Sequence, residues 1–481
     1  MSRRADTRLR PSEAAAKLRA AEERSAADRK SAHPRESVDR PPMWSGSGGL
    51  KVDWHRSTMA HLRSVYPFHA DSGFGHRGPY MGVSVTGGMG AFHFDPFELY
   101  GGALTNPNVM VIGEVGSGKS STVKAFLSRS LAVYGDRRFI AILDPKGEYT
   151  PVATMLGLPV VKLHPGGTAR LNPMDPRPGD DPADAISRQS LAAALVTAVL
   201  GRPLDPTEDA LLGWAIQTLA ASGRPFTLAE VVAAVQDPAD ELLALAQATP
   251  LELARAAAPV VFALDKLINR ALRGMFDGTT TVGLDWTDGR GIVVDLSAVY
   301  GDREALPLVM MAATHWLGAV LQRESDRRVI QVIDEAWAAV LHGARHFQSS
   351  LKLARTYGVS TWLLCHRPSD LTAQADDGTA DAKIAAGLLS DIQTRVLLRQ
   401  PSDQLPIAAD LFALTERETA LVGQLVRGRA LWRLQTRGAV VQSVLTQREL
   451  TLFDTDAAMT ANPTGFPASG PKISGTEGCA A

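Results

Sequence analysis

An α/β protein with a mostly parallel central sheet is expected from this sequence, and three features carry the expectation. Short, continuously apolar runs recur at Val109–Ile112, Phe139–Leu143, Ile292–Leu296, Val329–Ile333, Thr361–Cys365 and Arg395–Leu398. Runs of that kind suit strands covered on both faces, because a half-exposed strand alternates apolar with polar residues. Helical patterns at Ser121–Val133, Leu306–Leu321 and Glu335–Tyr357 lie between them, which is the alternation of α/β folds. The first run also leads directly into Gly113-Glu-Val-Gly-Ser-Gly-Lys-Ser, a G-x-x-x-x-G-K-[ST] pattern that joins a strand to a helix.

The chain has 481 residues, 45% hydrophobic and 21% charged. That is enough for two to four units with ordinary cores. Residues 1–42 hold 11 basic and 7 acidic side chains and almost no large apolar ones, so they read as a disordered or loosely helical arm. Residues 43–107 are rich in Gly, Pro and aromatics. Tyr80–Val85 and Gly90–Phe94 read there as short strands around the turn Thr86-Gly-Gly, a small β-rich unit. Residues 108–177 and 291–454 carry the α/β pattern in two parts. Between them, 178–290 are Ala- and Leu-rich with helical spacing, as in Leu191–Leu200 and Ala210–Ala221, and read as a helical insertion with its own small core. Gly423–Leu445 alternates around Arg437-Gly438 and reads as a hairpin. Residues 455–481 read as a disordered tail.

Composition removes several classes of function. The net charge is −1, so no global field draws the chain to nucleic acid or an anionic membrane. Two cysteines, Cys365 and Cys479, exclude a disulfide scaffold and a cysteine metal cage and fit a cytoplasmic setting. No apolar run reaches the ~20 residues that span a bilayer. His342 and His346 lie four apart without the glutamate of a zinc-protease helix, and Cys365 is embedded in an apolar run.

The loop residues Gly113, Glu114, Val115, Gly116, Ser117, Gly118, Lys119, Ser120 and Ser121 are the candidate nucleotide-binding set. Glycines let successive backbone N–H groups curl round a phosphate, and the helix N-terminus adds partial positive charge. Only 11 of the 50 basic residues are lysine, so Lys119 in the motif is hard to ascribe to composition. It would reach the β- and γ-phosphates of ATP, and Ser120 would ligate Mg²⁺. A second metal ligand is needed at another strand end, and the run Val329–Ile333 ends in Asp334-Glu335. Asp334 would hold Mg²⁺ and Glu335 would polarise the attacking water. The adjacent Glu335, and the lack of an N-K-x-D guanine-reading motif, indicate ATP hydrolysis. His366 ends the run Thr361–Cys365 and has the position of a γ-phosphate sensor, or of a satisfied core histidine. Arg355 is the first candidate for a positive charge offered to a neighbouring subunit's nucleotide, with Arg395 and Arg399 as rivals. Asp144-Pro-Lys146-Gly-Glu148-Tyr149 puts a lysine and acids on a further strand-end loop, or on a plain surface turn.

Around these residues Phe94-Asp-Pro-Phe, Asp144-Pro-Lys-Gly-Glu-Tyr, Leu171-Asn-Pro-Met-Asp, Gly274-Met-Phe-Asp, Ile333-Asp-Glu-Ala-Trp, His366-Arg-Pro-Ser-Asp-Leu, Leu414-Thr-Glu-Arg-Glu and Gly428-Arg-Ala-Leu-Trp follow in order. Together they resemble the ATPases of conjugative type IV secretion systems, especially actinobacterial forms, within the HerA/FtsK group of ring-forming motors. The resemblance spans about residues 90–445. It implies a RecA-like core with a helical insertion, hydrolysis of ATP with Mg²⁺, and hexamers or lower oligomers beside the secretion machinery at the cytoplasmic face of the membrane. Many relatives have Gln where His366 stands. A double-stranded DNA translocase of the FtsK/HerA kind, and an assembly module gated by nucleotide with little turnover, stay open as other readings; direct contact with DNA is open in all of them.

Overall fold

A computed structural model of the protein describes residues 74–454, apart from 87–89, 176–181, 284–288, 322–326, 341–346, 349–350, 352–354, 373–386 and 388–390. The arm, the tail, His342, His346 and most of the 43–107 segment lie outside the described residues.

Eleven strands form one sheet: β1 (Tyr80–Ser84), β2 (Ala91–His93), β3 (Val109–Ile112), β4 (Arg138–Asp144), β5 (Val160–Lys162), β6 (Gly291–Asp295), β7 (Arg328–Ile333), β8 (Val359–Cys365), β9 (Thr394–Leu397), β10 (Arg429–Leu434) and β11 (Arg437–Ser443). Their order is β2-β1-β11-β10-β9-β3-β8-β7-β4-β6-β5. From β9 to β5 every neighbouring pair is parallel, and from β9 back to β2 every pair is antiparallel. The parallel strands therefore end on a common edge, where α/β folds bind ligands.

The apolar runs are continuous because both faces are covered. Along β3, Val109 and Val111 join one apolar cluster with Phe126, Trp362 and Leu364. Met110 and Ile112 join the other, with Leu191, Leu212, Val231 and Val260. That is the two-residue period of a strand with helices on both sides. The first face receives helix α1 (Lys119–Tyr134), whose Phe126 stacks on Trp362 at 4.2 Å, and α2 (Thr150–Leu156) follows β4. The cluster on the second face also takes in α3 (Pro182–Leu200), α4 (Pro206–Ala221), α5 (Leu228–Gln236), α6 (Asp240–Ala246), α7 (Pro250–Asp265) and α8 (Ala305–Leu321), of which α8 packs on β4 and the first five pack chiefly on one another. Short helices α9 (Ala336–Val340), α10 (Ser369–Thr372), α11 (Leu405–Phe412), α12 (Glu416–Gln424) and α13 (Gln447–Phe453) complete the described set. Five of the helices start at a reciprocal cap, with Asp205/Glu208, Thr227/Glu230, Thr249/Glu252, Thr415/Glu418 and Thr446/Glu449 each satisfying the other's backbone N–H.

Two expectations change. The strands of the 43–107 segment do not make a separate unit. β1 pairs with β11 and extends the main sheet, and Phe94 packs against Phe126, Trp362 and Trp432. The insertion helices fill 182–265 and pack chiefly on one another, and their apolar side chains run on into the cluster that holds β3 and β4 residues. Finally, the helix expected from Glu335 starts one residue later at Ala336, since Glu335 is left-handed with φ 50°.

Candidate active site

The loop after β3 has the backbone that its glycines allow. Gly116 and Gly118 adopt φ of 78° and 105°. At Gly113 a Cβ would lie 2.6 Å from both Leu398 Cβ and Ser117 Oγ, so the tight first turn admits no side chain. Lys119 and Ser120 open α1, which aims the helix N-terminus into the loop. Lys119 is nearly buried, and its Nζ donates to Gly113 O at 2.7 Å. Burial pulls its ammonium down to about 8, against the opposing field of Asp334. The loop is braced from outside: Gly428 N donates to Ser117 O at 3.0 Å, Glu114 N donates to Arg399 O at 3.0 Å, and the Arg399 guanidinium pairs with the Glu114 carboxylate.

The acids arrive from the neighbouring strands. β8 lies beside β3 and β7 beyond it, so His366 and Asp334-Glu335 project at the same edge. His366 bridges the two halves, with Nδ1 2.7 Å from Lys119 Nζ and Nε2 2.7 Å from Glu335 Oε1. An ammonium can only donate, so Nδ1 accepts from Lys119, while Nε2 lies within hydrogen-bond distance of both the Glu335 carboxylate and, at 2.8 Å, Lys146 Nζ. Lys146, from the loop after β4, pairs with the same Oε1 at 2.5 Å. Trp337 Nε1 donates to Oε2 at 2.6 Å. Burial pushes the Glu335 carboxyl up, but the His366 hydrogen bond and the Lys146 charge outweigh it and hold it at about 2. Asp334, whose Oδ1 accepts from Glu335 N at 2.9 Å, goes the other way. Burial, reinforced by the adjacent Glu335 charge, lifts it to about 6. A left-handed glutamate costs on the order of 1–3 kcal/mol, and here it turns the carboxylate from the strand line toward Lys146 and His366.

Lys119, Ser120, Asp334, Glu335 and His366 therefore meet at one sheet edge. Lys146, which sequence reading left between a site and a surface turn, belongs with them. The loop that carries it is fixed by Asp144, which accepts from the backbone N–H of Lys146, Gly147, Glu148 and Tyr149. Trp337 was missed. Its one signal was the position two residues beyond the acidic pair. Arg355 is not brought to the loop of its own chain. It is exposed, and it lines a 370 Å³ cavity with Asn108 and Gln393, which precede β3 and β9 at the opposite sheet edge. Arg395 is half-buried, with Nη1 donating to Phe412 O at 3.1 Å. Among the described residues, no cluster of three or more His, Cys, Asp or Glu side chains has metal-ligand geometry. Ser120 and Asp334 still suit Mg²⁺, which takes one or two protein oxygens and completes its shell with phosphate and water.

A glycine-cradled loop on the central strand of the eleven-stranded sheet, facing an acidic pair two strands away, has the architecture of the RecA-like P-loop fold. Residues 100–312 match the family model described as the central domain of helicase HerA. Among solved structures, VirB4 of Thermoanaerobacter pseudethanolicus has the same fold, with a TM-score of 0.64 and 21% identity over 79% of this chain and 100% of that one. The bacterial conjugative coupling protein TrwB, in its unbound form, aligns with a TM-score of 0.49 and 16% identity over 71% of this chain and 85% of that one. TrwB in complex with ADP and Mg²⁺ aligns with a TM-score of 0.48 and 16% identity, over 71% and 86%. No curated protein matches the chain.

Proposed function

We propose that the protein is an ATP-hydrolysing motor of the kind that powers type IV secretion. One observation carries the reading: His366 joins Lys119 of the phosphate loop to Glu335 of the acidic pair through contacts of 2.7 Å on each side. A structural glycine turn has no need of such a link, whereas an ATPase must couple occupancy of the phosphate site to the group that directs water. The order of the eight flanking motifs and the fold shared with VirB4 support the placement in secretion. A ring of identical subunits, hexameric by resemblance, at the cytoplasmic membrane face is part of this reading. Among the described residues no helix is long and apolar enough to cross a membrane.

The loop N–H groups and Lys119 hold the β- and γ-phosphates of ATP. Ser120 and Asp334 hold Mg²⁺, which when bound supplies charge neutralisation at the phosphates. Glu335 stays ionised at any physiological pH. A carboxylate held near 2 is a weak proton acceptor, so it acts mainly by orienting and polarising the water, as the orienting residue of other phosphoryl-transfer enzymes does. Lys146 and Trp337 fix its direction.

Titration with ATP·Mg²⁺ and a turnover assay with and without DNA test the reading. Lys119→Ala should lose ATP binding by at least about a hundredfold, because charge-assisted contacts to phosphate are lost, while the chain still unfolds in a cooperative thermal transition. Glu335→Gln should bind ATP at wild-type affinity and cleave it at least ~10²-fold more slowly. Wild-type affinity in the first variant, or near-wild-type turnover in the second, would refute the assignment.

A further inference from the structure

Three side chains compete for one imidazole. Lys119 Nζ lies 2.7 Å from His366 Nδ1, while Lys146 Nζ and Glu335 Oε1 lie 2.8 Å and 2.7 Å from Nε2. A neutral imidazole offers one donor and one acceptor. It cannot satisfy three partners, two of them ammonium groups that only donate. The ring therefore brings two cations together without bonding both. Glu335 is as fully engaged. Its Oε1 meets the Lys146 ammonium at 2.5 Å as well as His366, and its Oε2 accepts from Trp337 Nε1 at 2.6 Å. A carboxylate oxygen has about two lone-pair sites, so Oε1 has none left for water. Its charge is also balanced by an ammonium at contact distance. A glutamate that polarises water needs an open oxygen and an unbalanced charge.

Lys146 is the partner able to change. Its backbone is held, because Asp144 accepts from the N–H groups of Lys146, Gly147, Glu148 and Tyr149, so movement is confined to the side chain. That side chain is 19% exposed against 2% for Glu335. It runs from the end of β4 past the end of β7 to the ring at the end of β8, and so already points toward the phosphate loop. A cavity of about 740 Å³, lined by Tyr300, Arg303, Leu306, Glu335, Trp337 and His366 among others, opens on the same carboxylate. Given the ATPase reading above, on which this inference rests, the γ-phosphate binds at Lys119, one imidazole ring from the Lys146 ammonium. We propose that Lys146 is a second phosphate-binding lysine, which leaves Glu335 for the γ-phosphate and so frees Oε1 to take the water. ADP offers Lys146 no such partner, so the exchange separates the triphosphate from the diphosphate. Lys146 sets the direction of Glu335 before the exchange, and Trp337 keeps it afterwards.

The test uses the full chain with Mg²⁺. Calorimetry compares ADP with the β,γ-imido analogue of ATP, which resists cleavage. Lys146→Met keeps an unbranched stem and removes the charge. It should weaken the analogue about tenfold and ADP by less than about twofold, since an exchange roughly nine-tenths complete requires about a tenfold preference for the γ-phosphate over Glu335. A second measurement reads the wild type directly, whether or not the variant folds. Trp337 donates to Glu335, so its fluorine resonance in fluorotryptophan-labelled protein, assigned with Trp337→Phe, reports a change of partner at the carboxylate. The analogue should shift that resonance and ADP should not. Equal loss of both nucleotides in Lys146→Met, loss of neither, a Trp337 resonance that ADP moves as far as the analogue does, or one that neither moves, would overturn the exchange and leave the phosphate loop standing. A wild type that binds neither nucleotide would overturn the phosphate-loop reading and the exchange with it.

Discussion

Each ionisable side chain at the site is tuned by the one beside it. Asp334 and Glu335 are adjacent acids in the same buried corner, yet burial lifts one to about 6 while the His366 hydrogen bond and Lys146 hold the other at about 2. The difference is one of partners: Lys146 and His366 both meet Glu335. Lys119 is drawn down to about 8 by burial, and this has a measurable consequence. Phosphate requires the ammonium form, so above pH 8 binding must return a proton that free Lys119 has lost. The bound state then holds one more proton than the free state. ATP affinity should fall about tenfold per pH unit above that point, with net proton uptake seen as a dependence of calorimetric heat on buffer ionisation enthalpy. A pH-independent affinity between 7 and 10 would show that Lys119 stays charged in the free protein.

Among the secondary-structure elements, local signals were readable and long-range ones were not. The strand before the loop and the acidic strand follow from runs of apolar residues whose burial on both faces is a local fact of composition, and the C-terminal hairpin follows from alternation around Arg437-Gly438. That β1 and β2 extend the main sheet depended on Phe94 meeting Trp362 and Trp432 and on Asp95 pairing with Arg138 at 3.0 Å, contacts that no spacing announces. At the site, the loop and Asp334-Glu335 were legible because strand ends must carry them. Lys146 was ambiguous, because a turn and a site lysine have the same neighbours in sequence. α13 offers a test at this scale. Glu449 is nearly buried, capping its own helix through Thr446 N and bonded to Arg129. Burial raises its carboxyl, but the Arg129 hydrogen bond and the cap prevail, so its folded-state value lies below the ordinary one. A depressed acid stabilises the fold above its unfolded value of ~4.3 and loses that contribution as pH falls through the folded-state value. Glu449→Gln should therefore cost about 2 kcal/mol at pH 7, and the two melting curves should converge as pH falls below 4. A constant gap down to pH 3 would mean that packing rather than charge sets the effect.

In the molecule as a whole, the question is how the charge developing on the γ-phosphoryl oxygens is balanced. An arginine supplied for this contributes ~10³–10⁵ in rate. Arg399 is already paired with Glu114 and Arg395 with the Phe412 carbonyl, so neither projects at the γ-phosphate side between Lys119 and Glu335. Arg355 is exposed at the end of its helix, where Gly358 turns left-handed with φ 65° into β8. Yet it stands beside Asn108, before β3, while the loop follows β3. Four residues at about 3.3 Å each separate the two edges, roughly 13 Å before the loop even begins. Arg355 therefore serves no nucleotide in its own chain. If it serves one at all, it is a neighbour's, and the oligomer is part of the active site. ATPase rate per chain should then rise with protein concentration, and Arg355→Ala should abolish the rise while leaving nucleotide affinity of the isolated chain unchanged within about twofold, because no contact to the chain's own phosphate loop is removed. The deciding experiment mixes Arg355→Ala with Lys119→Ala. Each is inactive alone, but at a mixed interface an intact phosphate loop faces an intact arginine, so turnover should return in the mixture. If the two variants demonstrably co-assemble and remain inactive, the arginine does not act in trans, and the charge must come from Lys146, the other cation held against Glu335.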